Sequence, residues 1–331
     1  MAEIPADMPV ILAGRGGVRA PVSMRSRLVL EVASELAGTA AWPYKQSRVQ
    51  LRAQGDDEWH TCWFASDSPV SVDAIANREA DIAICNPGAV LSLAYHGTGP
   101  YTKAHDYFRA IMVLPQFDQL GFAVAGTTGL NSLADLRDKN YPLRLSLRGQ
   151  KDHSVHLIVN EVLKAYGFTL DDITKWGGKV TYDEGTPGTG DRMNMGERGE
   201  IDAIFDEGMP TFASRALDLG WRFLAVDEPQ LKQLEGMGLR RVAITREEYP
   251  KLAADVWTID FSGWPVFTRI DVPDWIVAGF CEGLEKRKDR IPWYGQGPMR
   301  LDQFCQDTRE GPLPIPLHAA AERFWHERGY I

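Results

Sequence analysis

The stretch Arg78-Glu79-Ala80-Asp81-Ile82-Ala83-Ile84-Cys85-Asn86 is echoed later in the chain by Gly199-Glu200-Ile201-Asp202-Ala203-Ile204-Phe205-Asp206. In both, a charged helix end runs through an aspartate into a short apolar run, and a polar loop opens the next helix. A short apolar run bounded in this way suits a strand buried in a sheet, and a helix following at once makes a βα unit. Two such units predict two similar α/β lobes. In open α/β sheets the ligand lies beyond the carboxyl ends of the strands, so the loops after these strands are where function is sought.

Working outward, short apolar runs alternate with helical periodicity. Strands are predicted at residues 10–13, 48–52, 81–85, 143–147, 179–182, 201–205 and 223–226, and an apolar stretch at 111–125 reads as a strand entering the second lobe. A helix opens near Pro21 and stops at Gly38, with Met24, Leu28, Val32 and Leu36 repeating every four residues. Further helices are predicted at 70–78, after Asn86-Pro87-Gly88, at 132–138, 155–166 and 211–219, and at 274–288 and 317–330. Residues 257–269 read as one long strand interrupted at Gly263-Trp264-Pro265. The chain returning to its start predicts a discontinuous first lobe, 1–120 together with 262–331, and a second lobe, 121–261.

The composition excludes several functions. With 36 Lys+Arg against 45 Asp+Glu the formal charge is −9, and the longest basic run is Lys286-Arg287-Lys288. That pattern does not suit nucleic acid or an anionic membrane, which need clustered cations. No stretch approaches the roughly 18 apolar residues of a membrane span, so the protein is expected not to be membrane-embedded. Cys62, Cys85, Cys281 and Cys305 show no CxxC spacing, which predicts reduced, buried thiols and no zinc ribbon. Residues 1–20 lack a basic segment followed by a long apolar one. A cytoplasmic chain is therefore expected, or a periplasmic one if a leader was removed.

Four loops carry the candidate chemistry. Gly14-Arg15-Gly16-Gly17-Val18-Arg19 can converge backbone N–H groups and two guanidiniums on an anion. Arg148-Gly149-Gln150-Lys151-Asp152-His153-Ser154 opens a helix with Arg, Lys and His, and Ser154 suits an N-cap. Asn86 and the pair Asp206-Glu207 open two further helices, the acidic pair suiting a cap, a ligand amine or a cation. Trp59, His60 and Trp63 suit an aromatic wall, with Trp264 at the second crossing. Guanidiniums pair bidentately with carboxylates, so Arg15, Arg19, Arg148 and Lys151 predict a small organic anion, with Gln150, Asn86 and Glu207 in the polar shell. GxSxG, HExxH and Cys-His signatures are absent. No metal or cofactor is expected, since His153 and His156 lack a third ligand at metal spacing. A proton-transfer pair of His153 with Asp206 or Glu207 is the alternative, enzymatic reading.

Further stretches carry a family resemblance. Ala80-Asp81-Ile82-Ala83-Ile84 followed by Tyr95-His96-Gly97-Thr98-Gly99-Pro100-Tyr101 resembles a stretch typical of the TAXI family of TRAP-transporter solute-binding proteins. Gly167-Phe168-Thr169-Leu170-Asp171-Asp172-Ile173, the 200–205 segment and Pro316-Leu317-His318-Ala319-Ala320-Ala321-Glu322-Arg323-Phe324-Trp325 are similar to its second lobe and its terminus. The resemblance implies a two-lobed type II periplasmic-binding fold, each lobe a mixed sheet flanked by helices, joined by two crossing strands. It implies binding of a small carboxylate or amino acid in the interlobe cleft and delivery to TRAP-type membrane subunits. Arg15 and the bulky 148–154 loop replace small residues of the family, which implies a ligand other than its usual one. Related folds also serve as cytosolic decarboxylases and pyrimidine synthases, so a lyase or hydrolase acting on a carboxylated, even aromatic, small molecule is the alternative.

Overall fold

The computed structural model describes residues 24–38, 46–52, 60–291 and 300–331. Arg15, Gly16, Gly17, Arg19 and Trp59, together with the strand expected at 10–13, lie outside the described residues. The chain forms two compact units. Of the described residues, one contains those up to Ile84, Tyr107–Leu114 and those from Pro265 onward; the other contains Cys85–Asp106 and Pro115–Trp264.

The first unit holds α1 (Met24–Gly38), β1 (Gln46–Arg52), β2 (His60–Ser66), α2 (Val70–Ala76), β3 (Ile82–Ile84), β4 (Phe108–Leu114), β12 (Trp264–Arg269), α10 (Asp274–Arg287), α11 (Asp302–Cys305) and α12 (Ala319–Glu327). Its sheet runs β1-β2-β3-β12-β4, with β2 parallel to β3, β1 antiparallel to β2 and β12 antiparallel to β3. The core gathers Ile82, Ile111, Val266, Cys281, Phe304 and Trp325. Trp325 is wholly buried, and its indole N–H donates to the Ile111 carbonyl at 2.9 Å, as a buried indole requires. All four thiols are free and buried, as expected.

The second unit holds α3 (Gly88–His96), β5 (Gly121–Val124), α4 (Leu133–Asp138), β6 (Arg144–Arg148), α5 (Ser154–Ala165), α6 (Leu170–Lys175), β7 (Lys179–Asp183), α7 (Arg192–Glu197), β8 (Ala203–Asp206), α8 (Met209–Asp218), β9 (Arg222–Phe223), α9 (Glu228–Gly236), β10 (Arg241–Ile244) and β11 (Val256–Ile259). The sheet order is β7-β6-β8-β5-β9. Strands β7, β6 and β8 are mutually parallel, and β5 runs antiparallel between β8 and β9. The middle of β6 and all of β8 are buried, as strands covered by helices on both faces are. Below them Met193, Ile204, Phe212 and Phe223 form the core. The result is a mixed α/β fold with two helix-flanked sheets, the class the sequence predicts.

Two expectations change. Residues 257–269 are not one interrupted strand: β11 pairs with β10, while β12 joins the sheet of the first unit. The apolar stretch 111–125 likewise divides between β4 and β5. Its middle forms an antiparallel ribbon with residues 259–263, through Leu120 N–H to Ile259 O at 3.0 Å, Phe261 N–H to Asp118 O at 3.0 Å and Gly263 N–H to Gln116 O at 2.9 Å.

Candidate functional site

The carboxyl ends of the adjacent parallel strands β6 and β8 carry Arg148, Asp206 and Glu207. Parallel pairing sets these ends side by side, because Leu145 stands opposite Ala203 and Ser146 opposite Ile204. Around them a polar cluster is built in two layers.

In the deep layer Arg192 and Asp206 are both fully buried and ion-paired. Arg192 also donates to the Ser146 hydroxyl at 2.9 Å and to the Ser146 carbonyl at 3.0 Å. That hydroxyl donates in turn to Asp183 at 2.7 Å, which also accepts from Thr181 at 2.7 Å. A buried charge is tolerated only when it is paired and hydrogen-bonded, and each group here is.

In the outer layer Arg148 donates to Asp206 at 2.7 and 3.1 Å and pairs with Glu207. The Arg148 and Glu207 side chains keep 12% and 13% of their surface, whereas Arg192 and Asp206 keep none. This outer pair is therefore the part of the cluster that reaches the surface. Burial disfavours the Arg148 charge, but the Asp206 and Glu207 charges more than offset it and hold the guanidinium protonated.

Asp118, on the 116–120 ribbon, closes the cluster. Its carboxylate accepts from the backbone N–H groups of Gln119 at 2.8 Å, Gly208 at 2.9 Å and Met209 at 3.1 Å. It thereby caps α8, the role the sequence suggests for Asp206 or Glu207. Asp206 is instead engaged by both guanidiniums and by the Glu207 N–H at 2.9 Å. Burial pushes the Asp118 carboxyl up from its ordinary value, against a hydrogen bond from Glu207 and the three amides. Glu207 is raised well above its ordinary value, chiefly by burial, then by the Asp118 and Asp206 charges, with Arg148 opposing. Three amides favour the anion at Asp118, so of the two carboxyl groups Glu207 is the one more easily protonated.

The rest of the 148–154 loop lies close by. His153, not Ser154, caps α5: its Nδ1 accepts the Val155 N–H at 3.1 Å, and Ser154 is the buried first residue of the helix. His156 Nε2 donates to the Gln150 carbonyl at 3.0 Å, leaving Nδ1 buried without a partner among the described residues. Burial lowers the His156 pKa. Lys151 stands over the Tyr182 ring at 5.3 Å.

The structure thus joins Arg148, Asp206 and Glu207 and sets Gln150 and His156 beside them. Asn86 precedes α3 at a cis Asn86–Pro87 bond, its Oδ1 buried without a partner among the described residues. Trp264 opens β12. His60 opens β2 opposite Arg52, and Trp63 packs edge-on against Phe280 at 5.4 Å, so this part of the expected aromatic wall belongs to a strand of the first unit. Sequence reasoning missed Asp118, Ser146, Asp183 and Arg192. Among the described residues no group of three His, Cys, Asp or Glu could hold a metal ion, and no helix is long and apolar enough to cross a membrane.

Among solved structures the chain is similar to one described as a periplasmic transporter, at 14% identity over 80% of each chain with a TM-score of 0.34. It is also similar to the glycine betaine/L-proline-binding protein ProX from Borrelia burgdorferi, at 11% identity, covering 66% of this chain and 78% of that one, TM-score 0.34. A third likeness is to the effector-binding domain of QuiR in complex with shikimate, at 12% identity, covering 67% and 78%, TM-score 0.30. No curated protein matches in sequence. The NMT1-like family matches residues 61–329, which spans both units, and the chain belongs to that family.

Proposed function

We propose that this chain is a solute-binding protein of the TAXI type that holds a small organic carboxylate on Arg148 and delivers it to TRAP-type membrane subunits. The observation that carries the reading is the graded burial of the two guanidiniums. Arg192 is sealed in with Asp206, while Arg148, fixed by the same carboxylate, keeps an outward edge at the strand ends. A guanidinium oriented in advance binds a carboxylate without ordering a long side chain at the moment of binding. Membership of the NMT1-like family and the TAXI-like motifs support the same reading. Lys151 and the α5 N-terminus add positive potential on that side. This function belongs in the periplasm.

Native mass spectrometry of freshly purified protein tests it, because a solute-binding protein retains its ligand through gentle handling. A retained carboxylic acid, lost in Arg148→Ala with affinity weakened more than about tenfold, is the expected result. A retained ligand without an acid group, or one that binds Arg148→Ala equally well, rejects it.

One observation favours a second reading, a cytosolic lyase. Glu207, whose pKa burial and the Asp118 and Asp206 charges raise, stands beside the Arg148 guanidinium, an arrangement suited to proton transfer. Turnover of a bound acid that Glu207→Gln abolishes while binding persists would establish it. His153 would then orient α5 through its cap.

A further inference from the structure

The turn from β8 into α8 does not cap itself. Gly208 stands at the N-cap with φ +82° and has no side chain to offer, and the first turn of α8 holds no acidic residue. A helix start leaves several N–H groups without a partner inside the helix. Two carboxylates take those of Glu207, Gly208 and Met209. Asp206 accepts from Glu207 at 2.9 Å, and Asp118 accepts from Gly208 at 2.9 Å and from Met209 at 3.1 Å. Asp118 comes from 90 residues away.

Asp118 is itself held firmly from the ribbon. Its N–H donates to the Ser262 hydroxyl at 3.0 Å, and that hydroxyl donates to the Asp118 carbonyl at 3.0 Å. The same carbonyl accepts the Phe261 N–H at 3.0 Å. One residue further on, the Gly263 carbonyl accepts the Gly88 N–H at 2.9 Å, so the ribbon is tied to the start of α3 as well. Asp118 and Ser262 are both buried.

The consequence falls on Arg148. Asp206 Oδ1 accepts the Glu207 N–H and also the Nε and Nη2 hydrogens of Arg148, at 3.1 and 2.7 Å. Glu207 pairs with the same guanidinium, and its peptide groups lie between the bond to Asp206 and the bond from Gly208 to Asp118. Fixing that turn fixes both carboxylates that aim Arg148. We propose that Asp118 is a positioning residue of this site: from the ribbon it sets the 206–209 turn, and through Asp206 and Glu207 it holds Arg148 in the direction that receives a ligand carboxylate. The proposal rests on the reading of Arg148 as the carboxylate-binding group. A helix cap alone would leave Arg148 indifferent to Asp118, whereas a positioning residue makes Arg148 respond to it.

The test reads Arg148 directly. Hydrogen exchange at its Nε–H and at the Glu207, Gly208 and Met209 amides is followed by NMR in the wild type, Asp118→Ala and Asp118→Asn, each variant checked for folding by circular dichroism. The Arg192 Nε–H, bonded to the Ser146 hydroxyl, is the reference. In Asp118→Asn the side-chain oxygen can still accept from Gln119 and Met209, but its NH2 group faces the Gly208 N–H. In both variants the Arg148 Nε–H is expected to exchange about tenfold faster or more, together with Gly208, while Arg192 keeps its rate. Formate, a carboxylate of the size removed, restores the Arg148 rate in Asp118→Ala but not in Asp118→Asn, where the side chain fills the place; the wild type in the same formate gives the baseline. Faster exchange at Gly208 and Met209 with Arg148 unmoved makes Asp118 a helix cap only and overturns the inference. Equal acceleration at both arginines shows general loosening and overturns it too. Calorimetric titration with benzoate and with succinate supplies the binding arm, in which Asp118→Ala weakens binding more than about tenfold. Full affinity in Asp118→Ala with binding lost in Arg148→Ala overturns the inference alone. Binding indifferent to Arg148→Ala, or no binding of either probe, overturns the carboxylate reading and with it the part of the inference that concerns a ligand.

Discussion

The Arg192 guanidinium and the Asp206 carboxylate are paired with neither side chain exposed at all. Such a pair contributes little net stability compared with an apolar core, but removing one partner strands a charge in a medium that cannot solvate it. Asp206→Asn is expected to lower the unfolding free energy by about 3–5 kcal/mol, read by urea denaturation. The exposed bridge from Arg144 to Asp202, whose arginine is 46% exposed, gives the contrast. Arg144→Ala is expected to cost no more than about 1 kcal/mol. Equal losses in the two variants would mean that burial does not set the worth of these pairs.

Tyr166 ends α5 and ties it to α9. Its hydroxyl accepts the Asp227 N–H at 2.7 Å and donates to the Asp227 carboxylate at 3.0 Å. Burial, together with the nearby carboxylate, raises the phenol pKa, so the hydroxyl stays a donor at any working pH. Tyr166→Phe keeps the packing and leaves a backbone donor unpaired at the start of α9, a loss of about 1–3 kcal/mol. Amide exchange at residues 227–231 should accelerate more than exchange across β6. Uniform acceleration in both places would show that the bond contributes only to global stability.

These groups show which parts of the site were legible in the sequence. Arg148, Asp206 and Glu207 stand at the ends of apolar runs, and the rule that ligands lie beyond the carboxyl ends of strands finds them from pattern alone. Arg192 sits among Asp191, Asn194 and Glu197, a polar stretch that reads as solvated surface. Only the packing of α7 against the sheet buries it. Asp118 interrupts an apolar run and reads as a break between strands, while its partners Gly208 and Met209 are 90 and 91 residues away. A charged residue inside an apolar run was the available signal, since such a group must find partners somewhere. The fold was legible where period and stop signals agreed, as in α5 with Gly167 after it at φ +78°. It was not legible for α9 and β10, where charged surface residues dilute the pattern.

Two glycines separate backbone conformation from crowding. Gly97 follows α3 at φ +69°, and a Cβ there would lie 2.4 Å from the Ala104 nitrogen. Gly129 has φ +66° with nothing within 4 Å of such a Cβ. Gly129→Ala is expected to cost the left-handed penalty alone, about 1–2 kcal/mol. Gly97→Ala costs that and a backbone displacement besides, so its loss should be clearly the larger in urea denaturation. Equal losses would mean that the 97–104 turn yields freely.

Glu207 also leaves a signature in stability, independent of any ligand. Its folded-state pKa is raised well above the ordinary value of 4.5 by burial and by the Asp118 and Asp206 charges. The folded chain therefore binds this proton more tightly than the unfolded chain does. The corresponding stability is complete below about pH 4.5 and is lost as pH rises through the folded-state value. Glu207→Gln keeps the shape and cannot titrate. The unfolding free energy of the wild type minus that of the variant should decline from about pH 4.5 upward, at no more than about 1.4 kcal/mol per pH unit, and then level off. Urea titrations at a series of pH values measure it. If the difference grew with pH instead, the ion pair with Arg148 would outweigh burial, and Glu207 would hold that guanidinium as an anion at neutrality.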